Sequence, residues 1–494
     1  MDVQRLIVSN PEDREGSDNS HQTSPWSRRL DVFAVLAFFL GLIPGVAAIG
    51  NYGFADDYGQ MALTNHQAVG WMKSMVGCGR PLQILALGVW KLFPGIGDLW
   101  IYHAIAAVAG GALAWVLYRF MKALGRSAPS AALLGAGTVA LVPGLLIQIA
   151  WLQMFPFLIA TIGSVIAATM LLENKRRPWI AGFIIGCAWL CYQPSALVGV
   201  VLIAATPFLA AKDSAVDSWR GLWWKRLVES LAPVAAAGVI SILMVKVAVA
   251  QHWAKAGGRH QFLGNLGHHL HVWLHAQLPM AFRLWSPFGL SHRAFFVELA
   301  LGIVCVVNAL RRRRVLDVVI AVVVMAIASY LLAFATAEID VDSRALVASQ
   351  VAVAILVLCG LSQLVEWATK RWRVVTTGAL VILSVVFCVH ATILLNHDWK
   401  RPNDLELTLV SEALTPQKCE HLRYIVLAPS QTNALGPAEA NEFGSPTSKA
   451  PWMAQKMVQL ICASKGVTNV PLPHVVPTDV EPSTTLDFAA ILNH

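Results

Sequence analysis

By length alone, 494 residues would fill about three soluble domains, but the composition excludes that reading. Hydrophobic residues make up 56% of the chain and charged residues 13%, against about 25% charge in an ordinary globular domain, and the mean hydropathy is +0.59. The formal net charge of +8 is carried by Lys and Arg in short clusters between apolar runs, the pattern of loop anchors, so no nucleic-acid partner is expected. The 18 Trp fit the aromatic belts of membrane interfaces.

A transmembrane helix needs about 20 mostly apolar residues, and eleven such stretches occur along the chain. They are 30–50, 98–118, 128–150, 155–173, 178–194, 195–211, 229–250, 294–310, 315–336, 346–368 and 374–395. The fold class expected is therefore an all-α polytopic membrane protein of about 11 spans. With the N-terminus inside, alternate loops hold 19 basic residues, among them Arg119, Lys122, Arg126, Lys175 to Arg177 and Arg311 to Arg314. The opposite loops hold eight: Lys73, Arg80, Lys91, Lys255, Arg259, Arg283, Arg293 and Arg344. The positive-inside rule then gives an N-in, C-out chain.

Residues 1–29 read as a disordered cytoplasmic tail, since no apolar run of signal-peptide type precedes the first span. Residues 30–395 form the transmembrane domain, with outer loops 51–97 and 251–293. Residues 396–494 read as a small outer α/β domain with a polar helix near 404–414, a strand at Tyr424 to Leu427, and an amphipathic helix from Pro451 to Ser464 capped near Ser448. Six of the eight Cys lie in or beside spans, where a thiol is a small hydrophobe. Cys419 and Cys462 fall in the outer tail and are placed to pair if that side is oxidising.

The stretch most informative for chemistry comes directly after the first span: Asn51-Tyr52-Gly53-Phe54-Ala55-Asp56-Asp57-Tyr58-Gly59. Paired carboxylates where the chain leaves the hydrocarbon can serve a general base or simply a solvated loop. Gly70-Trp71 and Cys78-Gly79-Arg80-Pro81, further along the same outer loop, add an interfacial Trp and a cation able to neutralise phosphate. Lys91 can snorkel toward the same headgroup.

Asp56-Asp57-Tyr58, Trp71, Gly79-Arg80-Pro81 and Tyr192-Gln193 at a later outer corner together resemble the bacterial serotype-converting glucosyltransferases that decorate O-antigen. Those enzymes belong to the C-type glycosyltransferases, which use polyprenyl-phosphate sugars. The resemblance covers roughly residues 30–395. It implies an inner-membrane enzyme with its C-terminus in the periplasm. A hexose, such as glucose, would pass from a polyprenyl-phosphate-linked donor to a glycan acceptor such as the O-antigen of lipopolysaccharide, with a flippase and a donor-synthesising glycosyltransferase as partners. Asp56 or Asp57 would take the acceptor proton, Asp56 by analogy with the first acid of the pair, with Asp57 orienting the acceptor or holding the loop. Tyr58, Trp71, Arg80, Lys91, Tyr192 and Gln193 would line the substrate. Because the leaving group is a lipid phosphate and not a nucleotide diphosphate, one or two cations balance its charge, so no cofactor is expected and a metal is not obligatory.

Other candidates are weaker. Glu338, Asp340 and Asp342 alternate in a loop that ends in Arg344, whose outer position has no positive-inside reason and fits a substrate contact. Arg259-His260 comes after Gly257-Gly258, which lets backbone N–H groups approach an anion. His268, His271 and His275 fall on one helical face with spacings that allow a metal, although Trp273, Leu274 and Leu278 equally describe a helix lying flat at the headgroups. No P-loop, GxSxG, HExxH or paired CxxC occurs, which argues against a nucleotide-driven enzyme. A lipid or solute transporter or flippase shares the hydropathy, but its ionisable residues gather near the midplane and often in repeated halves. Here the acids lie in outer loops and no internal repeat is visible.

Overall fold

Inside a bilayer every backbone N–H and C=O must be satisfied within the chain, so apolar stretches of this length become helices. All eleven do so in the computed structural model. It describes residues 31–493 apart from 55, 64, 86–87, 89–91, 93–94, 174–176, 211–215, 254–265, 283, 285–291, 336–344, 370–371, 429–446, 468–470 and 477–483.

The helices are α1 (Val32–Ala47), α2 (Asp56–Met61), α3 (Asn65–Gly77), α4 (Leu99–Ala123), α5 (Ala128–Leu141), α6 (Pro143–Ala150), α7 (Phe155–Leu172), α8 (Pro178–Cys191), α9 (Gln193–Ala204), α10 (Thr206–Leu209) and α11 (Val216–Ala250). They continue as α12 (Leu266–Val272), α13 (Leu278–Ala281), α14 (His292–Arg312), α15 (Val315–Ala335), α16 (Val347–Ala368), α17 (Arg373–Leu394), α18 (Arg401–Ala413), α19 (Pro416–His421), α20 (Pro451–Ser464) and α21 (Phe488–Asn493). Among the described residues, six helical stretches are long and apolar enough to cross a membrane, or seven if the bent pair α5–α6 is one span. Four more of the expected stretches form shorter apolar helices: Val32–Ala47, Pro178–Cys191, Gln193–Ala204 and Val315–Ala328. The chain is a multi-pass membrane protein.

Three boundaries differ from the sequence reading. The stretch 128–150 is not one straight helix but bends by 70° between α5 and α6. Pro143 disfavours helical geometry in the residue before it, and Val142 is accordingly extended, at φ −90° and ψ 106°. α11 begins at Val216, well before the expected 229. Its polar first turns are held by the Arg226–Glu229 ion pair at 2.6 Å and by Trp223, which donates to the Ile203 carbonyl at 3.0 Å. The last apolar helix does not end at 395. It runs on through a π-helical turn, Leu395–Lys400, into the polar α18, giving one helical stretch from Arg373 to Ala413.

The inner helices pack through small residues, as membrane helices do where no hydrophobic driving force separates lipid from protein. Gly41 and Gly45 of α1 lie against Ala107, Gly110, Gly111 and Ala114 of α4, so close that a Cβ at Gly41 would sit 2.5 Å from that of Ala114. Among the six long spans α16 is the most buried, at 78%, and α14 the least, at 17%.

After α18 the chain builds a three-stranded parallel sheet, β1 (Tyr424–Val426), β2 (His474–Val475) and β3 (Thr485–Asp487), in the order β2-β1-β3. α18 and α20 pack with it around Cys419, Ile425, Ile461 and Phe488. A disulfide joins Cys419 to Cys462. Ser448 does not cap α20, whose N-cap is Ala450. Its hydroxyl instead donates to Glu406, which also accepts the backbone N–H groups of Thr447 and Ser448, each at 2.8 Å.

Candidate functional site

Two polar clusters flank the 3₁₀ turn Leu152–Met154 and the first turn of α7, at the end of the helices that carries residues 48–61.

The first is built on Asp57, only 1% exposed. Its Oδ2 accepts the Phe54 N–H at 2.9 Å and its Oδ1 accepts the Gln153 N–H at 2.8 Å, so both oxygens are committed to backbone. Burial pushes the carboxyl up to about 8, against the downward pull of these N–H donors and with a further upward push from Asp56. Asp57 thus ties the loop after α1 to the turn before α7. An aromatic box closes the loop: Phe54 lies 4.9 Å from Trp151 and 4.6 Å from Trp399, centroid to centroid. Trp399 comes from the π-helical turn, whose extra residue shifts the register of the helix that carries it. Tyr52 packs against His103, with centroids 4.5 Å apart and planes tilted by 36°, and its carbonyl meets the imidazole Nε2 at 3.1 Å. Asp404 of α18 lies partly buried beside Gly50.

Asp56 opens α2 and is partly exposed, one residue before the anchored Asp57. Tyr58 is buried. Its hydroxyl accepts the Gly53 N–H at 3.0 Å and its ring packs into the tail's core, so it joins the loop to the tail.

The second cluster gathers Arg80, Tyr192 and Gln193 from positions far apart in sequence. Pro194 sits in the first turn of α9 and Tyr192 is extended at φ −159°, which makes the corner between α8 and α9. The Tyr192 ring lies flat on Phe157, with centroids 3.7 Å apart and planes 3° from parallel. Arg80 lies over the other side of that corner, its Cζ 4.8 Å from the Tyr192 centroid. Its Nε donates to Gln193 Oε1 at 2.9 Å, and Gln193 Nε2 donates to the Gly79 carbonyl at 3.3 Å. Gly79 takes a φ of +70°, a left-handed conformation that glycine adopts without strain. It also packs on Ser241 of α11, whose hydroxyl donates to the same carbonyl. The guanidinium is therefore aimed from one side, and its two Nη groups have no hydrogen-bond partner among the described residues.

Next to this cation runs an apolar groove of ≈ 340 Å³ between α7 and α8, lined by Leu82, Phe155, Ile159, Phe183, Cys187 and Cys191 among others. Leu82 is two residues from Arg80, and Cys191 is the neighbour of Tyr192. The groove thus begins at residues that adjoin Arg80 and Tyr192 in the chain.

Of the remaining expected residues, Trp71 lies half-buried on α3, the helix leading to Arg80. A Cβ at Gly70 would meet nothing within 4 Å among the described residues. Lys91, Arg259, His260, Arg344, Glu338, Asp340 and Asp342 lie outside the described residues. His271 and His275 have ring centroids 4.3 Å apart, while His268 pairs with His269 at 6.3 Å. Among the described residues, no three His, Cys, Asp or Glu side chains gather to hold a metal. The sequence reading missed Trp151, Gln153, Trp399 and Asp404. The Gln153 contact is a backbone N–H, which no side-chain pattern reveals, and Trp399 was placed past the end of a helix that continues through it.

No family model matches the chain, and neither does any curated protein. Two solved structures of the Archaeoglobus fulgidus oligosaccharyltransferase resemble it. The apo form is 12% identical, with a TM-score of 0.47, and the alignment covers 94% of this chain and 65% of that one. The complex with Zn and sulfate is 14% identical, with a TM-score of 0.45, covering 90% and 61%. The chain thus spans less than two thirds of the length of that archaeal enzyme. The functional reading rests on the site itself.

Proposed function

We propose that the protein is a membrane glycosyltransferase that moves a hexose from a polyprenyl-phosphate carrier to a glycan on the outer side of the membrane. The observation that carries this reading is Arg80. It is a buttressed guanidinium whose two Nη groups have no hydrogen-bond partner among the described residues, and an apolar groove begins at Leu82 and Cys191, the chain neighbours of Arg80 and Tyr192. That pairing suits an amphiphile with an anionic head and a long hydrocarbon tail, and it gives the phosphate the bidentate contact that Arg makes best. Sugar leaving such a carrier leaves it as a phosphate, and a cation in place before the reaction stabilises the charge that develops there.

The acceptor hydroxyl must lose its proton as it attacks the anomeric carbon. A positioned carboxylate contributes typically about 10² to 10⁴-fold to such a step. Asp56 is our candidate for that base, since both oxygens of Asp57 already hold the backbone. Tyr192 and Gln193 aim the cation; Asp57, Phe54, Trp151 and Trp399 fix the loop.

The test is consumption of polyprenyl-phosphate hexose by proteoliposomes containing the full chain. Arg80→Ala removes a charge-assisted contact of about 1.5–3 kcal/mol, so donor affinity should fall about 10- to 100-fold. Arg80→Lys, a point charge without the fork, should recover only part of it. Unchanged donor affinity in the alanine variant would contradict the reading.

A further inference from the structure

We infer that Trp452 is a sugar-stacking platform that binds the acceptor glycan, so that the tail supplies one wall of the proposed site; this deepens the transferase reading and rests on it. Trp452 stands in the first turn of α20 and is 46% exposed. The other strongly exposed Trp residues described, Trp100, Trp115, Trp179, Trp253, Trp367 and Trp372, lie on the apolar spans or at their ends, where the lipid interface accounts for them. Trp452 lies on neither. It belongs to the polar tail, and its indole rests on α2, the short helix Asp56-Asp57-Tyr58-Gly59-Gln60-Met61.

The contact is close. A Cβ at Gly59 would come within 2.7 Å of the indole Cζ3 and 3.2 Å of Cε3, so only glycine lets the ring seat there. The candidate base, Asp56, is three residues earlier on the same helix and therefore one turn away.

Much of the tail holds this contact in place. Met453, the next residue, packs against the membrane-domain core that contains Phe54, Trp151 and Trp399. Glu406 holds the turn before α20 through three hydrogen bonds, and the Cys419–Cys462 disulfide anchors its far end. Lys456, four residues on and so on the same helical face, adds a polar edge. A large planar ring, supported on Gly59 and part-exposed, with Asp56 one turn along the supporting helix and Lys456 one turn along its own, matches the two-sided character of a hexose, whose C–H face is apolar and whose rim is hydroxylic. An acyl chain has no use for the polar rim.

The experiment uses the full chain in nanodiscs with maltotriose, cellotriose and a rhamnose-containing trisaccharide as probes, read by saturation-transfer NMR. At least one probe should bind the wild type, lose at least about tenfold in affinity in Trp452→Leu, which keeps apolar bulk but not the π face, and keep most of it in Trp452→Phe. An intact Cys419–Cys462 bond in each variant certifies the fold. Equal binding by Trp452→Leu, no binding of any probe by the wild type, or quenching by brominated lipid of the wild-type-minus-Trp452→Phe emission difference would overturn the platform. Acceptor KM in the transfer assay separates the two claims. Transfer with an unchanged acceptor KM in Trp452→Leu refutes the platform and spares the transferase. Saccharide binding through Trp452 with no transfer by the wild type refutes the transferase and spares the platform.

Discussion

Arg80 and Asp57 are both ionisable groups held against the first turns around α7, yet their hydrogen-bonding capacity is used in opposite ways. Asp57 directs both oxygens at backbone N–H groups and is sealed from solvent. Arg80 uses one N–H to fix its aim, and among the described residues its two Nη groups have no hydrogen-bond partner, with an apolar groove nearby. The difference separates a residue that holds the site from one that meets a ligand, and it shows why neighbouring carboxylates such as Asp56 and Asp57 need not share a role.

The largest effect expected from this contrast is on stability. Asp57→Ala leaves two buried backbone N–H groups without acceptors, at about 1–3 kcal/mol for each. It should lower the melting temperature of the detergent-solubilised protein clearly, whereas Arg80→Ala should leave it within experimental error. Equal melting temperatures for the two variants would erase the distinction.

A smaller effect is expected at Gln193. Gln193→Leu removes the acceptor that aims the guanidinium, a net hydrogen bond of about 0.5–1.5 kcal/mol, so donor KM should rise about 2- to 10-fold, with a smaller drop in melting temperature than Asp57→Ala gives. No change in donor KM would mean that the Tyr192 ring alone sets the aim.

A separate effect is expected in the pH dependence. Burial raises the folded Asp57 carboxyl from its ordinary value to about 8. The folded state therefore holds that proton more tightly than the unfolded state. The stabilisation is complete below the unfolded value near about 4, and it is lost as pH rises through about 8. Asp57→Asn cannot titrate, so the wild type's stability relative to this variant should be greatest at pH 5 and shrink toward pH 9 in thermal scans. A gap that widens with pH would reverse the sign and point to a carboxylate held charged by its two N–H donors.

The helical stretches were legible because a membrane asks little beyond length and apolarity, and Pro143 even carries the reason for the bend. The junction at 395 was not legible. Asn396, His397, Asp398 and Lys400 look like a chain leaving the helix, and only packing of Trp399 onto Phe54 and Trp151 shows why the helix continues. Arg80, Tyr192 and Gln193 were readable as a set from short motifs, and the fold brings them together. Asp56 and Asp57 were inseparable in sequence, because what distinguishes them is where each side chain points. The seat of Trp452 on Gly59 joins residues nearly 400 positions apart, a contact that no local pattern announces.

The most direct measurement is transfer by Asp56→Asn in proteoliposomes supplied with polyprenyl-phosphate hexose and acceptor glycan, alongside donor binding. The substitution keeps size and most hydrogen bonding but removes basicity. If Asp56 is the base, the transfer rate falls at least about 100-fold while donor affinity stays at the wild-type value, since the loss is confined to the transition state. Wild-type transfer by Asp56→Asn would contradict the assignment.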